Sequence, residues 1–546
     1  MMASGDIQTR SEPSPWAQEV VRADGSGIPF RLYAPRPITL SELLDVLRMW
    51  PDRTALVQGD RRLTFAEFLA RTHVVAELLR ERGVGPGARV ALLGRNSISW
   101  LEVLWATQRL GAVAVPLNGW WAAREIDHAL ALTTPSLAFV DDAWLDRLPA
   151  SVARLATTEV ERFQPDRIDE SSGVPEIPGG EDDPAMVIFT SGTTGLPKGA
   201  EMSRRALIAT QLSMLVATRR LPGTYGDDAT VPASIVAGPL FHTAGLQMHL
   251  TTWLVGGTVI LLGGRFDSSE VLELMERERV TTFSGVPTMM TRLLEDPTAR
   301  SRDFSALRTV GLGGAPVTHR LIERVGEVFP AVAHRVSNTY GTTETGGAVV
   351  ASTGRDVLAR PGTSGRAFPL VDIRIHEPDD DGVGELCVRT PSQMTRFVGV
   401  ADSPIDAEGW VHTGDLARID EDGYVFVVGR LKDVVIRGGE NVAAGAVEAV
   451  LAQHHSVAEV AVVGLPDEDF GEVVAAVVVG RATMPVDTAE LADFARSRLA
   501  YFEVPTRWWV HPGPLPTNEP GKVDKKRLQA DFPSQEPSLP SEEPSA

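Results

Sequence analysis

The 546-residue chain carries 52 Lys and Arg against 72 Asp and Glu, a formal net charge of −20. That excess of negative charge argues against nucleic acid or an anionic membrane as the main partner. With 43% hydrophobic and 23% charged residues it reads as a globular protein, long enough for two or more domains. One cysteine, Cys387, leaves no intrachain disulfide, which fits a reducing cytoplasm.

The start, "MMASGDIQTRSEPSPW", has no basic stretch followed by an apolar run, so no secretory signal is expected. Residues 1–35 read as a loose N-terminal extension. "ITLSELLDVLRMWPDRTALV" then predicts a helix capped by Thr39 or Ser41, followed by a strand. Helix, turn and strand repeat in "LTFAEFLARTHVVAELLRERGVGPGARVALLGRN", and again in "WLEVLWATQRLGAVAVPLN". Such alternation predicts an α/β fold with a mostly parallel sheet. Residues 165–184 are acidic and rich in proline and glycine, a surface connection. Residues 234–264 are apolar but broken by His242, Gln247 and His249, so they predict buried strands and a helix rather than a membrane span.

After residue 429 the texture changes. "AAGAVEAVLAQH" and "TAELADFARSRLA" predict helices, and "VAEVAVVGLPDEDFGEVVAAVVVG" predicts two strands around a turn. The expected division is a large domain over 36–430, a small mobile α+β domain over 431–530, and a disordered tail over 531–546. His454 and His455 are neighbours, which on a helix points them apart; the remaining histidines and acids show no metal-ligand spacing.

"MVIF" predicts a buried strand leading into "TSGTTGLPKGA". Here Thr190, Ser191, Gly192, Thr193, Thr194 and Gly195 are followed by Lys198. Glycines let backbone N–H groups face an anion, hydroxyls donate to phosphate oxygens, and lysine adds a mobile positive charge. The Walker pattern needs glycine before the lysine and Ser or Thr after it. Pro197 and Gly199 stand there instead, so the Walker reading fails.

This loop resembles the phosphate-binding motif of the adenylate-forming superfamily, which includes acyl-CoA synthetases, aryl-CoA ligases, luciferases and peptide-synthetase adenylation domains. The resemblance spans about residues 40–528, with the motifs in the family's order. It implies a large multi-sheet N-terminal domain with a small C-terminal lid. It also implies ATP, Mg²⁺ and CoA as cosubstrates and cofactor, with ATP cleaved between its α- and β-phosphates.

The resemblance assigns further residues. In "NTYGTTETGG", Tyr340 would stack on adenine, Gly341 and Thr342 would line the nucleotide, Thr343 would meet the α-phosphate and Glu344 would hold Mg²⁺. In "GLGGAPV", Gly314, Ala315 and Pro316 would lie against adenine. Asp415 would accept from both ribose hydroxyls, with Arg430 beside it; Lys432, with Asp433, would form the hinge. Lys522 would neutralise charge as a carboxylate attacks the α-phosphorus. Glu519 is an unexpected negative charge near it. His242 would sit where the acyl chain passes the carboxylate site. Trp253 and the stretch from Phe283, "FSGVPTMMTRLL", would wall the acyl pocket.

Gly438, Gly439 and Glu440 resemble the turn beside the CoA thiol channel. After them Ala443 and Ala444 replace the family's usual aromatic or serine and proline, which loosens the CoA assignment. Some relatives transfer to an amine, a carrier-protein thiol or another nucleophile. The expected function is formation of an acyl-adenylate and then of a CoA thioester. "PLNGWW" and "PLFHTAGL" resemble bacterial fatty-acyl-CoA synthetases, so a medium or long acyl chain is favoured over an aryl acid. Transfer to an amine and a non-catalytic nucleotide-binding protein are the alternatives, and a homodimer is kept open.

Overall fold

The computed structural model describes residues 14–25, 27–163, 179–190, 196–224, 231–315, 317–401, 403–437, 440–467, 470–481, 484–517 and 522–533. Two large sheets form the body. One has seven strands, running from Arg396–Phe397 through Lys198–Ser203, Pro184–Thr190, Val113–Leu117, Arg89–Leu93 and Leu137–Val140 to Arg154–Ala156. The other has nine, from Arg366–Ala367 through Gly347–Ala351, Val336–Thr342, Thr309–Gly313, Thr282–Gly285, Ala233–Val236, Thr258–Leu261 and Thr54–Gln58 to Arg61–Thr64. Their interiors are parallel; both margins of the nine-stranded sheet and the Arg396–Phe397 margin of the seven-stranded sheet are antiparallel, while its Arg154–Ala156 edge pairs in parallel.

Parallel strands buried on both faces need helices to cover them. The helix Ile98–Arg109 is buried along its whole length, started by Ser97, whose hydroxyl accepts from Trp100 N–H. Thr39 caps Leu40–Asp45 in the same way, and Thr64 with Glu67 closes a capping box on Phe65–Glu81. One core joins these helices to Thr243–Trp253 and both sheets; a second packs Val271–Met275, Met290–Leu294 and Leu321–Val325 on the outer face of the nine-stranded sheet.

One expectation is corrected at the start of the chain: residues 19–34 are not a loose lead-in. Glu19–Gly25 and Ile28–Ala34 pair as an antiparallel hairpin. Arg31 bonds Asp372 at 2.7 Å, and Arg205 lies over the Phe30 ring. The alternation in "IPFRLYA" supplies a buried face that a lead-in would lack. The multi-sheet large domain is as expected: beside the two mostly parallel sheets, Asp372–His376, Gly384–Arg389, Val411–Ile419 and Val425–Arg430 form a separate four-stranded antiparallel sheet.

The C-terminal region forms its own five-stranded sheet, in which Val457–Asp467 and Gly471–Gly480 pair as a long hairpin and Arg507–Val510 joins in parallel. It has a separate valine-rich core. The helix Ala444–Leu451 lies against Val425–Arg430 through very small residues: a Cβ on Gly445 would stand 2.7 Å from Val428 O, and one on Gly429 would stand 3.6 Å from Ala443 Cβ. His454 and His455 lie beyond that helix in a turn. Their rings are 4.3 Å apart at the centroids, so they come together rather than diverge, with Glu490 beside them. Among the described residues no helix is long and apolar enough to cross a membrane.

Candidate active site

Of the expected nucleotide residues, Thr190 and Lys198 sit at strand ends of the seven-stranded sheet, Gly314 and Tyr340 at or near strand ends of the nine-stranded one, and Asp415 and Arg430 on the four-stranded sheet. Thr190 ends its strand and Lys198 opens the next, the two being register partners. Lys198 Nζ stands 5.3 Å from the centre of the Phe397 ring. Gly199 must be glycine, since a Cβ there would meet Val187 at 2.8 Å. Ser191, Gly192, Thr193, Thr194 and Gly195 lie outside the described residues, as do Pro316, Gly438, Gly439 and Glu519. The side chains of Lys432 and Glu440 are also outside them.

Gly314 turns the chain at φ +74° after its strand, with Ala315 next, so the backbone there is open to a ligand. Tyr340 Oη donates to Asp415 Oδ2 at 2.7 Å, and Arg430 Nε donates to Asp415 Oδ1 at 2.5 Å. Asp415 and Arg430 are cross-strand partners, so one hairpin sets the pair. Burial first, and then the Asp415 charge, push the Tyr340 phenol well above its ordinary range and keep it a donor. An ionised carboxylate has about four lone-pair sites. Asp415 therefore retains acceptor capacity for a diol, while the Tyr340 ring offers a flat face fixed by its own hydroxyl.

Thr343 and Glu344 sit half-buried in a turn after Gly341 and Thr342. The turn is braced by Thr345, fully buried, whose hydroxyl accepts from Thr342 N–H and donates to Gly347 O. Ser392 Oγ donates to Thr345 O, and Met394 N–H donates to Glu344 O. A Cβ on Gly346 would strike Ser392 O, and one on Gly341 would strike Gly347 O, so both glycines are required by close approach. Sequence reading missed Thr345 and Ser392. Thr345 stood inside the motif and could have been found; Ser392 is brought in only by tertiary structure.

His242 is the N-cap residue of Thr243–Trp253. Its Nε2 is buried and has no hydrogen-bond partner among the described residues. Burial, with the charge of Lys522, pushes it down to about 4, so the imidazole is neutral at physiological pH. Lys522, from the small domain, is thus brought to the same corner as His242 from the large one. A neutral imidazole with an unmet nitrogen beside a cation is a place for an anionic oxygen. Asp433 lies 3.9 Å from Lys525 Nζ, which also pairs with Glu448 at 2.7 Å.

Two expected pocket walls are corrected. Trp253 is fully buried, donates to Ala55 O at 2.9 Å and packs against Phe65, Phe68 and His249, so it belongs to the core. Phe283 points into the outer core. Its neighbour Ser284 is on the other face and half-exposed.

The description "AMP-binding enzyme" matches residues 44–398, and "AMP-binding enzyme C-terminal domain" matches 446–522. A feruloyl-CoA synthase of Amycolatopsis sp is 38% identical over 494 residues, covering 89% of this chain and 97% of that protein. A fatty acid–[acyl-carrier-protein] ligase, ScoC, of Streptomyces coeruleorubidus is 31% identical, covering 88% and 94%. The solved o-succinylbenzoate CoA synthetase (MenE) of Bacillus subtilis, in complex with its acyl-adenylate intermediate, superimposes with a TM-score of 0.77. It is 29% identical, covering 91% of this chain and 99% of that one.

The chain belongs to the AMP-binding, adenylate-forming enzyme family. It is a ligase that joins a carboxylic acid to CoA through an acyl-adenylate, using ATP and Mg²⁺.

Proposed function

We propose that this ligase acts on a compact, ring-bearing acid, an aryl or similar carboxylic acid, and that the gathered residues divide the work as follows. Asp415 and Arg430 hold the ribose, the Tyr340 ring and the Gly314–Ala315 turn hold adenine, and Thr190 with Lys198 flanks the pyrophosphate. Glu344 would hold Mg²⁺, a hard oxygen ligand for a hard cation whose charge offsets that of the phosphates. Thr343 donates to the α-phosphate. The acid's carboxylate lies between His242 and Lys522. Neutral His242 adds no competing charge, and Lys522 offsets the negative charge that accumulates as the carboxylate oxygen attacks the α-phosphorus and pyrophosphate leaves.

One observation carries the mechanistic reading: His242 is buried with its Nε2 unpartnered among the described residues, and after burial itself it is the Lys522 charge, from the small domain, that lowers its basicity. That is the arrangement acid activation needs. Transfer to CoA asks for a different group at the same carbon, so the small domain would turn about Lys432 and Asp433 between the steps. For the acid, the half-exposed wall around Ser284 favours a compact ring acid, and the similar feruloyl-CoA synthase is a protein named for such a substrate.

A second reading keeps a medium or long acyl chain. Behind Thr243, Leu246 and Leu250 runs an apolar seam reaching Leu104, Trp105 and Ile188, beside Gly346. Its cavity is about 30 Å³, room for about two waters, so it must widen to admit a chain.

The test is product mass spectrometry with Mg-ATP and a pooled panel of aryl and fatty acids, with and without CoA. Aryl-CoA thioesters support the reading. Fatty-acyl thioesters alone move it to the second. Adenylate without thioester would point to another acceptor.

A further inference from the structure

The nine-stranded sheet has one row of residues that changes character partway across. In a parallel sheet, register partners share a face. Leu261 pairs with Val236, Val236 with Ser284, Ser284 with Gly311, and Gly311 with Ser337. Leu261 and Val236 are fully buried in the core that contains Leu246, Leu250 and Trp253 of the His242 helix. This row therefore faces that helix. The alternate residues Ile235, Phe283, Val310 and Val336 fill the outer core.

From Ser284 onward the inward row becomes hydroxyl, glycine, hydroxyl, and all three positions are half-exposed. A sheet face packed against a helix is ordinarily apolar and closed. Here it is polar and open, so it lines a cleft rather than a core. On the His242 helix, Ala244 is exposed and Met248, one turn along, is half-exposed.

Gly311 leaves a notch in this wall. An atom placed where its Cβ would be stands 2.8 Å from Ser284 Oγ and 3.6 Å from Ser337 Oγ. Among the described residues the Ser337 hydroxyl makes only a long contact to Val310 O, at 3.4 Å. A hydroxyl can both donate and accept, so two of them flanking one vacancy suit a single oxygen atom of any type. The notch lies two residues below Gly313 and three below Gly314, about 10 Å down the strand from that turn. It is thus set back from the turn expected to meet adenine.

We propose that the Ser284–Gly311–Ser337 notch seats an oxygen substituent at the distal end of the acid, a phenolic hydroxyl, ether or carbonyl oxygen, and so selects oxygenated acids over their hydrocarbon analogues. The inference rests on the compact-acid reading above. It makes Ser284 and Ser337 specificity-determining residues and Gly311 the space that admits the substituent.

The test compares kcat/KM for three arylpropenoic acids: one with a 4-hydroxyl, one with a 4-methyl in its place, and one unsubstituted. The wild-type enzyme should favour the hydroxyl over the methyl acid by about tenfold or more, because the methyl group leaves both serines unpaired. In the double variant Ser284→Ala, Ser337→Ala that ratio should collapse to within about threefold of unity. Gly311→Val should lower turnover of both substituted acids more than of the unsubstituted one, while ATP affinity, read separately, reports whether the fold is kept. Equal use of the hydroxyl and methyl acids, or a ratio untouched by the double variant, overturns the notch while leaving the ligase reading intact. Turnover confined to unsubstituted fatty acids overturns the notch and the compact-acid reading together.

Discussion

The two halves of the candidate site are assembled in different ways. At the Asp415 corner every part belongs to the large domain: Asp415 and Arg430 face each other across one hairpin, and Tyr340 is bonded to the same carboxylate. At the His242 corner the cation comes from the small domain, on Lys522, and lowers the basicity of a buried histidine whose Nε2 has no hydrogen-bond partner among the described residues. The first corner is built before any ligand arrives. The second exists only while two domains are correctly placed. The difference teaches that binding and chemistry in this molecule can be separated by mutation.

The sharpest way to test this separation is Lys522→Ala. It should slow pyrophosphate release by about 10²–10³, while AMP still binds with nearly wild-type affinity. Pyrophosphate release at the wild-type rate would show that the delivered cation does no chemistry. Acid titration probes the prebuilt body next. His249 is fully buried, and burial holds it near 4, so the folded protein keeps it neutral while the unfolded chain takes up a proton at about 6.5. Its contribution is therefore complete above pH 6.5 and drains away as pH falls towards 4, by about 3 kcal/mol at most. Urea midpoints between pH 7 and pH 4.5 should fall, and should fall less in His249→Gln after allowance for its lower starting stability. An equal decline in both proteins would remove His249 from the account.

Asp415→Asn should act on the prebuilt corner alone. Arg430 loses its counter-charge and the ribose loses an acceptor, so stability should drop by about 1–3 kcal/mol and ATP affinity should weaken with it. If ATP titration showed affinity unchanged, the ribose assignment would fail. Smallest is the hinge. Lys432→Pro should leave adenylate formation within about twofold and slow thioester formation by about tenfold. Equal loss of both half-reactions would break the idea of one site serving two domain positions.

Much of this was legible along the chain because the signals are local. Thr39 and Glu42, or Thr64 and Glu67, are three residues apart, and helix caps are read at that distance. Thr190 with Lys198, and the turn from Tyr340 to Glu344, are likewise short-range features of the chain. What escaped depends on residues far apart in the chain. The Tyr340–Asp415 bond spans 75 positions, and Ser392 reaches Thr345 over 47. The N-terminal hairpin reads as a lead-in from sequence because its anchors are distant: Arg31 reaches Asp372 over 341 positions, and Phe30 meets Arg205 from far along the chain. The small and apolar residues of the stretch from Phe283 mark it as a pocket wall, but only the strand register separates Phe283, in the outer core, from Ser284 on the other face.

The contact between the helix Ala444–Leu451 and the strand Val425–Arg430 has one more implication. Gly429, Ala443 and Gly445 meet almost backbone to backbone. Interlocked side chains would have to withdraw from their holes before either piece could slide, and each withdrawal would add roughness to the path. A surface of glycine and alanine has nothing to withdraw. Whatever turning the small domain performs begins at a smooth bearing, and a larger residue at Gly445 would act on it as grit.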